Sequence, residues 1–205
     1  MTTWVETPRG GRERGIGGLV RAWVEVLVRP RRFFAHGVAP GDQAPGLSFA
    51  VTVALLYVGG LLAVQPEVLL GVDRIPVLGD SVGLTAVFIL LVTGVVAAPA
   101  ALHLAAATQT VLLMLLVDDR AGVSETVQVL GYATAPCVFA WLPIPGIATL
   151  CGLYATGLLV VGLSVVHRTK LLRAALAGAL PAVAVFGVGF GGIAASRTLV
   201  DWIIG

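Results

Sequence analysis

The chain has 205 residues, of which 58% are hydrophobic and 12% are charged, and its formal net charge is +2. Soluble domains carry about 25% charged residues, so this composition excludes an ordinary soluble domain, and we expect no nucleic-acid partner. Residues 82–117 contain no Asp, Glu, Lys or Arg. A helix of that length reaches roughly 54 Å, well beyond a hydrocarbon core of about 30 Å. The sequence therefore predicts an all-α fold, a polytopic membrane helix bundle.

The segment before the first long apolar run is divided into two parts. Residues 1–18 are polar and glycine-rich and are predicted to form a disordered cytoplasmic tail. Residues 19–46 are predicted to form an N-terminal amphipathic interfacial helix and a linker, because apolar residues recur there at helical spacing between charged ones. Basic residues suit anionic headgroups and large rings suit the acyl boundary. The candidate contacts with lipid or a partner are therefore Trp23, Arg29, Pro30, Arg31, Arg32, Phe33 and Phe34. The alternative, which is compatible, is a short helix packed on the protein's own cytoplasmic face.

Residues 47–205 form the predicted membrane domain, with five transmembrane helices at about 47–64, 82–117, 126–142, 147–166 and 174–195. The stretch 82–117 allows two interpretations, one long span kinked at Pro99 or two short spans. Two spans would leave the backbone groups of a tight turn unsatisfied in lipid, which costs several kcal/mol per group. One kinked helix is therefore favoured.

The basic residues predict the orientation of these spans. With five spans and a cytoplasmic N-terminus, eleven of the thirteen Lys and Arg residues lie inside. A sixth span would place Arg168, Lys170 and Arg173 outside, against the preference of basic loops for the cytoplasm. We therefore expect a multi-pass protein of the cell membrane with its C-terminus outside.

Two intramembrane features are candidates for function or for packing. His103 and Thr110 lie on one face of the second span, and polar residues within a span serve either as functional groups or as hydrogen-bonding links between helices. Gly187 and Gly191 form a GxxxG pair, which lets two helix backbones approach closely. This pair favours packing within the bundle, and a homo-oligomer would use the same surface.

The sequence contains no pattern of residues that indicates catalysis. No nucleophile elbow, HExxH motif or phosphate-binding loop is present. Asp118 and Asp119 lack the further acidic residues of a cation site and indicate the end of a helix at the membrane surface. Cys137 and Cys151 lie in apolar stretches, which is typical of buried small hydrophobic residues. We therefore expect no enzymatic activity, no cofactor and no metal site.

Two short motifs resemble those of the Yip family, multi-span membrane proteins that interact with Rab/Ypt GTPases, and of its prokaryotic relatives. Residues 29–34, Arg-Pro-Arg-Arg-Phe-Phe, are similar to the family's Pro-x-x-Phe-Phe motif before the first span. Gly131, Tyr132 and Pro136 are similar to its Gly-Tyr-x-x-x-Pro stretch. The resemblance implies five spans and a cytoplasmic N-terminus. In eukaryotic members it also implies contact with prenylated small GTPases, but this chain lacks their long N-terminal region.

The leading functional hypothesis is an integral membrane scaffold that binds a protein partner or organises membrane lipid. Its partners would be the lipid bilayer and a membrane-protein or small-GTPase-like partner at the cytoplasmic face. The alternative hypothesis is a small membrane transporter or permease component. It would use the kinked second span, with His103 and Thr110 lining a path, because broken helices mark substrate sites in transporters.

Overall fold

A computed structural model of the chain describes residues 3–6, 12–70 and 78–204. Two short antiparallel strands, β1 (Thr3–Glu6) and β2 (Arg12–Arg14), precede the helices. Both lie within the tail 1–18, parts of which are outside the described residues, and its disorder stays a prediction. Residues 71–77 of the polar loop after the first span are also outside the described residues.

The other regular elements of the described chain are helices. The first part comprises α1 (Gly15–Val28), α2 (Pro30–His36), α3 (Ala44–Val64) and α4 (Pro66–Leu70). After a short 3₁₀ turn (Leu78–Asp80) come α5 (Val82–Val92), α6 (Ala98–Leu116) and α7 (Val123–Ala133). The last part comprises α8 (Ile147–Val166), α9 (Leu171–Ala182) and α10 (Gly192–Ile204).

Four helices among the described residues are long and apolar enough to cross a membrane. They are Ala44–Val64, Val82–Leu116, Ile147–Val166 and Leu171–Gly189. Their side chains form no solvated face, because apolar residues occur on the outside as well as inside the bundle. A helix that is apolar on all sides suits lipid, which makes this a multi-pass membrane protein.

The charge-free stretch forms one continuous helix of 35 residues, Val82–Leu116. A π-helical turn, Thr93–Ala97, joins α5 to α6 immediately before Pro99. Proline has no amide hydrogen and its ring clashes with the carbonyl group four residues earlier, and a wider turn relieves both problems. A second π-helical segment, Val183–Gly189, follows Pro181 in α9.

The predicted span 126–142 is not one continuous helix. Helix α7 ends at Ala133, and a 3₁₀ segment, Ala135–Phe139, follows Thr134. Residues 126–137 are all buried, and α7 contacts α3, α6 and α8. A broken helix is tolerated at membrane depth where protein surrounds it, because its freed backbone groups do not face lipid. This broken helix is therefore the centre of the bundle.

The last predicted span also differs from the observed helices. The predicted span 174–195 includes a break at Phe190–Gly191, where Gly191 has a φ angle of +73° and ends the helix. Glycine adopts this left-handed conformation without the penalty that a Cβ atom brings. Thr149 Oγ1 donates to the carbonyl oxygen of Gly192 (2.9 Å), which ties the start of α10 to the start of α8. Helix α10 therefore turns back onto the bundle.

Candidate functional site

Helix α1 packs against the middle of the bundle and does not extend away from it. The indole Nε1 of Trp23 donates to the carbonyl oxygen of Ala135 (2.9 Å), and the ring lies 5.6 Å from that of Phe139. Tyr154 of α8 donates its hydroxyl hydrogen to the carbonyl oxygen of Leu27. One face of α1 is buried, and the opposite face exposes an apolar stripe at four-residue spacing: Ile16, Val20, Val24 and Val28.

The two charged residues of α1, Arg21 and Glu25, form ion pairs. Arg21 binds Glu13 (2.6 Å) and Glu25 (3.0 Å), one turn further along the same helix. These ion pairs reduce the free-energy cost of keeping charged side chains beside an apolar stripe. They also leave Arg21 less available to bind an external anion.

Helix α2 holds two phenylalanines in the core of the bundle. Pro30 starts the helix in its first turn, where the missing amide hydrogen costs nothing. Phe33 and Phe34 are 1% and 2% exposed, and the ring of Phe33 lies 4.8 Å from that of Tyr132. Phe49 of α3 packs on Tyr132 from another side, at 5.2 Å. Protein therefore surrounds the aromatic pair in this structure. This arrangement favours the alternative in which the short helix packs against the protein itself.

The three arginines of this segment are on the protein surface, unlike the two phenylalanines. Arg29, Arg31 and Arg32 are exposed. Phe34 and Ala35 line one cavity with Arg120 and Arg168, so the last part of α2 lies at the same end of the bundle, hereafter the basic end, as the loops 117–122 and 167–170. Because the buried aromatic pair fixes α2, the backbone that carries the arginines is held in place.

The Gly-Tyr-x-x-x-Pro stretch has a clear packing role. An added Cβ atom at Gly131 would lie 2.3 Å from the carbonyl oxygen of Gly46, so these two glycines let α3 and α7 touch through their backbones. Tyr132 is fully buried in the aromatic cluster. Pro136 lies in the 3₁₀ segment that follows α7. These residues specify the centre of the fold.

The family comparison matches this same region of the chain. A family model, the Yip1 domain, matches residues 24–193, which is most of the chain. The chain belongs to the Yip family. The comparison with curated proteins and the comparison with solved structures each found no match. The resemblance inferred from the two short motifs is confirmed, and both motifs lie at positions that hold this Yip domain together.

In this Yip domain the structure does not bring His103 and Thr110 together. His103 is exposed on the outer side of α6, and its Nδ1 lies 2.7 Å from the carbonyl oxygen of Pro99. Thr110 is buried and donates to the carbonyl oxygen of Ala106 (2.7 Å). An apolar cavity of about 510 Å³ lies beside α3 and α6, and neither residue is among those that line it.

Both glycines of the GxxxG pair lie at close contacts within the bundle, although Gly191 lies outside the helix that contains Gly187. Gly191 lies in the turn after the helix, where an added Cβ atom would be 3.2 Å from the Tyr57 hydroxyl oxygen. At Gly187 it would be 2.8 Å from the side chain of Ile193 in α10. Gly187 thus allows α10 to fold back against the π-helical segment, and Gly191 forms the turn.

His167 is a buried residue that the sequence analysis did not single out. It caps α8 at the basic end, is 1% exposed, and its Nε2 lies 3.4 Å from Thr126 Oγ1. Burial and the nearby Arg120 charge lower the pKa of His167 from 6.5 to about 4. Sequence offered one weak signal for this, the position of His167 immediately after a long apolar run.

That the protein has no metal site stays a prediction. Among the described residues no group of three or more His, Cys, Asp or Glu side chains could hold a metal ion. Asp118 and Asp119 are exposed at the end of α6. Cys137 and Cys151 are free thiols, and both are buried.

Gln109 of α6 is the place where we expect a substitution to stabilise the protein. Its side chain is fully buried, and neither Oε1 nor Nε2 has a hydrogen-bond partner among the described residues. An unsatisfied buried amide costs about 1–3 kcal/mol. We expect Gln109→Leu to raise the free energy of unfolding by about 1 kcal/mol or more, measured by SDS titration in mixed micelles. Thr108→Val, at an exposed neighbouring position, is the control, and a lower unfolding midpoint for Gln109→Leu would contradict the prediction.

Proposed function

We propose that this Yip family member is a non-catalytic membrane scaffold that organises anionic lipid at its basic end. The observation that carries the proposal is α2, where a buried aromatic pair fixes a helix that exposes Arg29, Arg31 and Arg32. Each Lys or Arg near an anionic membrane surface contributes about 1 kcal/mol to the attraction. A fixed cluster of arginines therefore recruits anionic headgroups with little loss of side-chain freedom.

The proposal includes five crossings of the cell membrane. The four long apolar helices would make four of them, and α7 with its 3₁₀ segment would make the fifth. The basic end would be cytoplasmic, because Arg120, Arg168, Lys170 and Arg173 lie there with the arginines of α2. The N-terminus would then be cytoplasmic and the C-terminus outside.

Helix α1 would be an amphipathic helix embedded at the side of the bundle. Its exposed apolar stripe needs a cover, and the helix lies beside Thr52 and Leu56 of α3, well inside the first apolar helix. Acyl chains that surround α3 would cover this stripe as well. The helix would therefore lie deeper than the headgroup region.

Reversing the charge of α2 tests the scaffold proposal. We expect Arg31→Glu/Arg32→Glu to lower the enrichment of phosphatidylglycerol around the purified protein about tenfold or more, since two favourable charges become unfavourable. The measurement is mass spectrometry of the lipids that copurify from vesicles of phosphatidylglycerol and phosphatidylcholine. Arg197→Glu, an exposed arginine in α10, is the matched control and should leave the enrichment unchanged. Equal enrichment in the double variant and the wild type would reject the proposal.

A further inference from the structure

A cavity of about 500 Å³ opens at the basic end, between α2, the loop after α6 and the end of α8. One part of its wall is apolar and comes from the helix ends, chiefly Phe34, Val38 and Val165. The other part is charged and comes from the two loops and the start of α7: Asp119, Arg120, Glu125 and Arg168. The cavity therefore combines an apolar wall with two positive and two negative groups.

These four charged side chains form no salt bridges with one another. Among the described residues the only salt bridges join Arg21 to Glu13 and Glu25, so neither cavity arginine has a carboxylate within 4.0 Å. A purely anionic ligand would be repelled by Asp119 and Glu125. A ligand with separate positive and negative groups would satisfy both pairs.

The backbone at Arg168 supports a role for this side chain in the cavity. The end of α8 is a Schellman motif, in which Thr169 N donates to Ser164 O (3.1 Å) and Arg168 N donates to Val165 O (3.4 Å). The residue after the cap of this motif is usually glycine, because its φ angle is positive. Here it is arginine, with a φ angle of +47°. The chain therefore accepts backbone strain at the position that places a guanidinium group on the cavity wall.

We propose that this cavity binds the headgroup of a phospholipid that carries both a phosphate and a primary ammonium group, as phosphatidylethanolamine does. Arg120 and Arg168 bind the phosphate, since guanidinium groups bind phosphate oxygens through paired hydrogen bonds. Asp119 and Glu125 accept hydrogen bonds from the ammonium group. The apolar wall formed by Val38 and Val165 contacts the start of an acyl chain. This inference goes beyond the proposed function, because it concerns a zwitterionic lipid and different residues at the same end of the protein.

The test measures the binding of short-chain lipids to the detergent-solubilised protein by native mass spectrometry. The probes are dihexanoyl phosphatidylethanolamine, dihexanoyl phosphatidylcholine and dihexanoyl phosphatidylglycerol. We expect the first to bind most tightly, because the choline group has no N–H to donate and the glycerol headgroup has no positive charge. Equal affinity for the three lipids would overturn the proposal. Free phosphoethanolamine is a fourth probe, and binding as tight as that of the lipid would overturn the assignment to a lipid.

Variants of the charged wall separate binding from folding. Arg168→Gln removes one charge-assisted hydrogen bond and should weaken phosphatidylethanolamine binding about tenfold. Glu125→Gln should remove the preference for phosphatidylethanolamine over phosphatidylcholine. Arg173→Gln, an exposed arginine of α9 that does not line the cavity, is the control. Wild-type binding in both Arg168→Gln and Glu125→Gln would reject the site.

Arg168→Gly gives the sharpest outcome because it acts on stability and binding in opposite directions. Glycine relieves the positive φ angle, so we expect the apparent melting temperature to rise by about 2–4 °C. Arg168→Gly should also lose affinity for phosphatidylethanolamine, as Arg168→Gln does. Because we expect this variant to be more stable than the wild type, a folding defect would not explain the lost affinity. A failure of this cavity leaves the α2 arginine experiment unaffected, because that experiment uses a different lipid and different residues.

Discussion

Gly131→Ala is expected to destabilise the protein by about 3 kcal/mol, although alanine is the better helix former. The added Cβ atom would lie 2.3 Å from the carbonyl oxygen and 2.8 Å from the carbonyl carbon of Gly46. Both are backbone atoms, so the clash is relieved only if α3 moves away from α7. That movement would also disturb the contact of Phe49 with Tyr132, which joins the same two helices.

The measurement for Gly131→Ala is the unfolding midpoint in an SDS titration, with size-exclusion chromatography to confirm a folded starting state. Gly157→Ala is the matched control, since an added Cβ atom there meets nothing within 4 Å in the middle of α8. We expect Gly157→Ala to keep or slightly raise stability, by up to about 1 kcal/mol. Gly46→Ala should behave like Gly131→Ala, because its Cβ atom would lie 2.5 Å from the Cα atom of Gln128. Equal midpoints for Gly131→Ala and Gly157→Ala would show that the two helices are not held at this distance.

The sequence predicted the apolar helices well because hydropathy is a property of composition. The four long helices contain the four most apolar stretches, and lipid requires such stretches to be helical. The choice of one helix for 82–117 likewise followed from backbone hydrogen bonding in lipid. The π-helical turns were not predicted, since proline indicates a disturbance of the helix but does not specify how the hydrogen bonds rearrange.

The central broken helix was harder to predict for a physical reason. Protein surrounds α7, so its side chains need not be apolar, and Gln128 is fully buried there. The Gln128 side chain accepts from Ala39 N (3.0 Å) and donates to Ala39 O (2.6 Å), which satisfies it inside the bundle. Hydropathy alone cannot distinguish such a segment from one that ends at the membrane surface.

The contacts made by the candidate site residues were also difficult to predict from the sequence. The two family motifs were found from the sequence, but their packing roles depend on contacts between residues far apart in the chain, such as Gly46 with Gly131. The charges of α1 indicated a helix at the membrane surface, which stays a prediction. They did not indicate that Arg21 pairs with its own neighbours or that Trp23 donates to Ala135 in the middle of the bundle. The cavity at the basic end is lined by an arginine with a positive φ angle, which no sequence pattern indicates.

Acidification is expected to destabilise the protein through His167. Its pKa is about 4 in the folded protein and about 6.5 in the unfolded chain, so between these values the unfolded chain binds more protons. Stability is therefore fully present above pH 6.5 and decreases as the pH falls from 6.5 to 4. A difference of this size corresponds to about 3 kcal/mol. Below pH 4 the contribution of His167 is constant, because both states are protonated.

The geometry around His167 explains why protonation is costly. Thr126 Oγ1 donates to the carbonyl oxygen of Gly122 (3.2 Å) and lies 3.4 Å from His167 Nε2, and we therefore assign the Nε2–H tautomer to neutral His167. The other nitrogen, Nδ1, is buried and has no hydrogen-bond partner among the described residues. A proton there would place a buried charge near Arg120. Protonation of the Nε2–H tautomer therefore breaks no hydrogen bond, but it adds an N–H group at Nδ1 that no acceptor among the described residues satisfies.

The expected result is a difference between two pH profiles of the unfolding midpoint. His167→Gln removes the titrating group, so its midpoint should change less than that of the wild type between pH 6.5 and 4. His36→Gln, at an exposed position on α2, controls for the loss of a histidine as such. Carboxylates that titrate in the same range contribute equally to all three proteins, and the difference between the profiles isolates His167. Parallel profiles for the wild type and His167→Gln would mean that this imidazole is hydrated, and that the end of α8 is open to water.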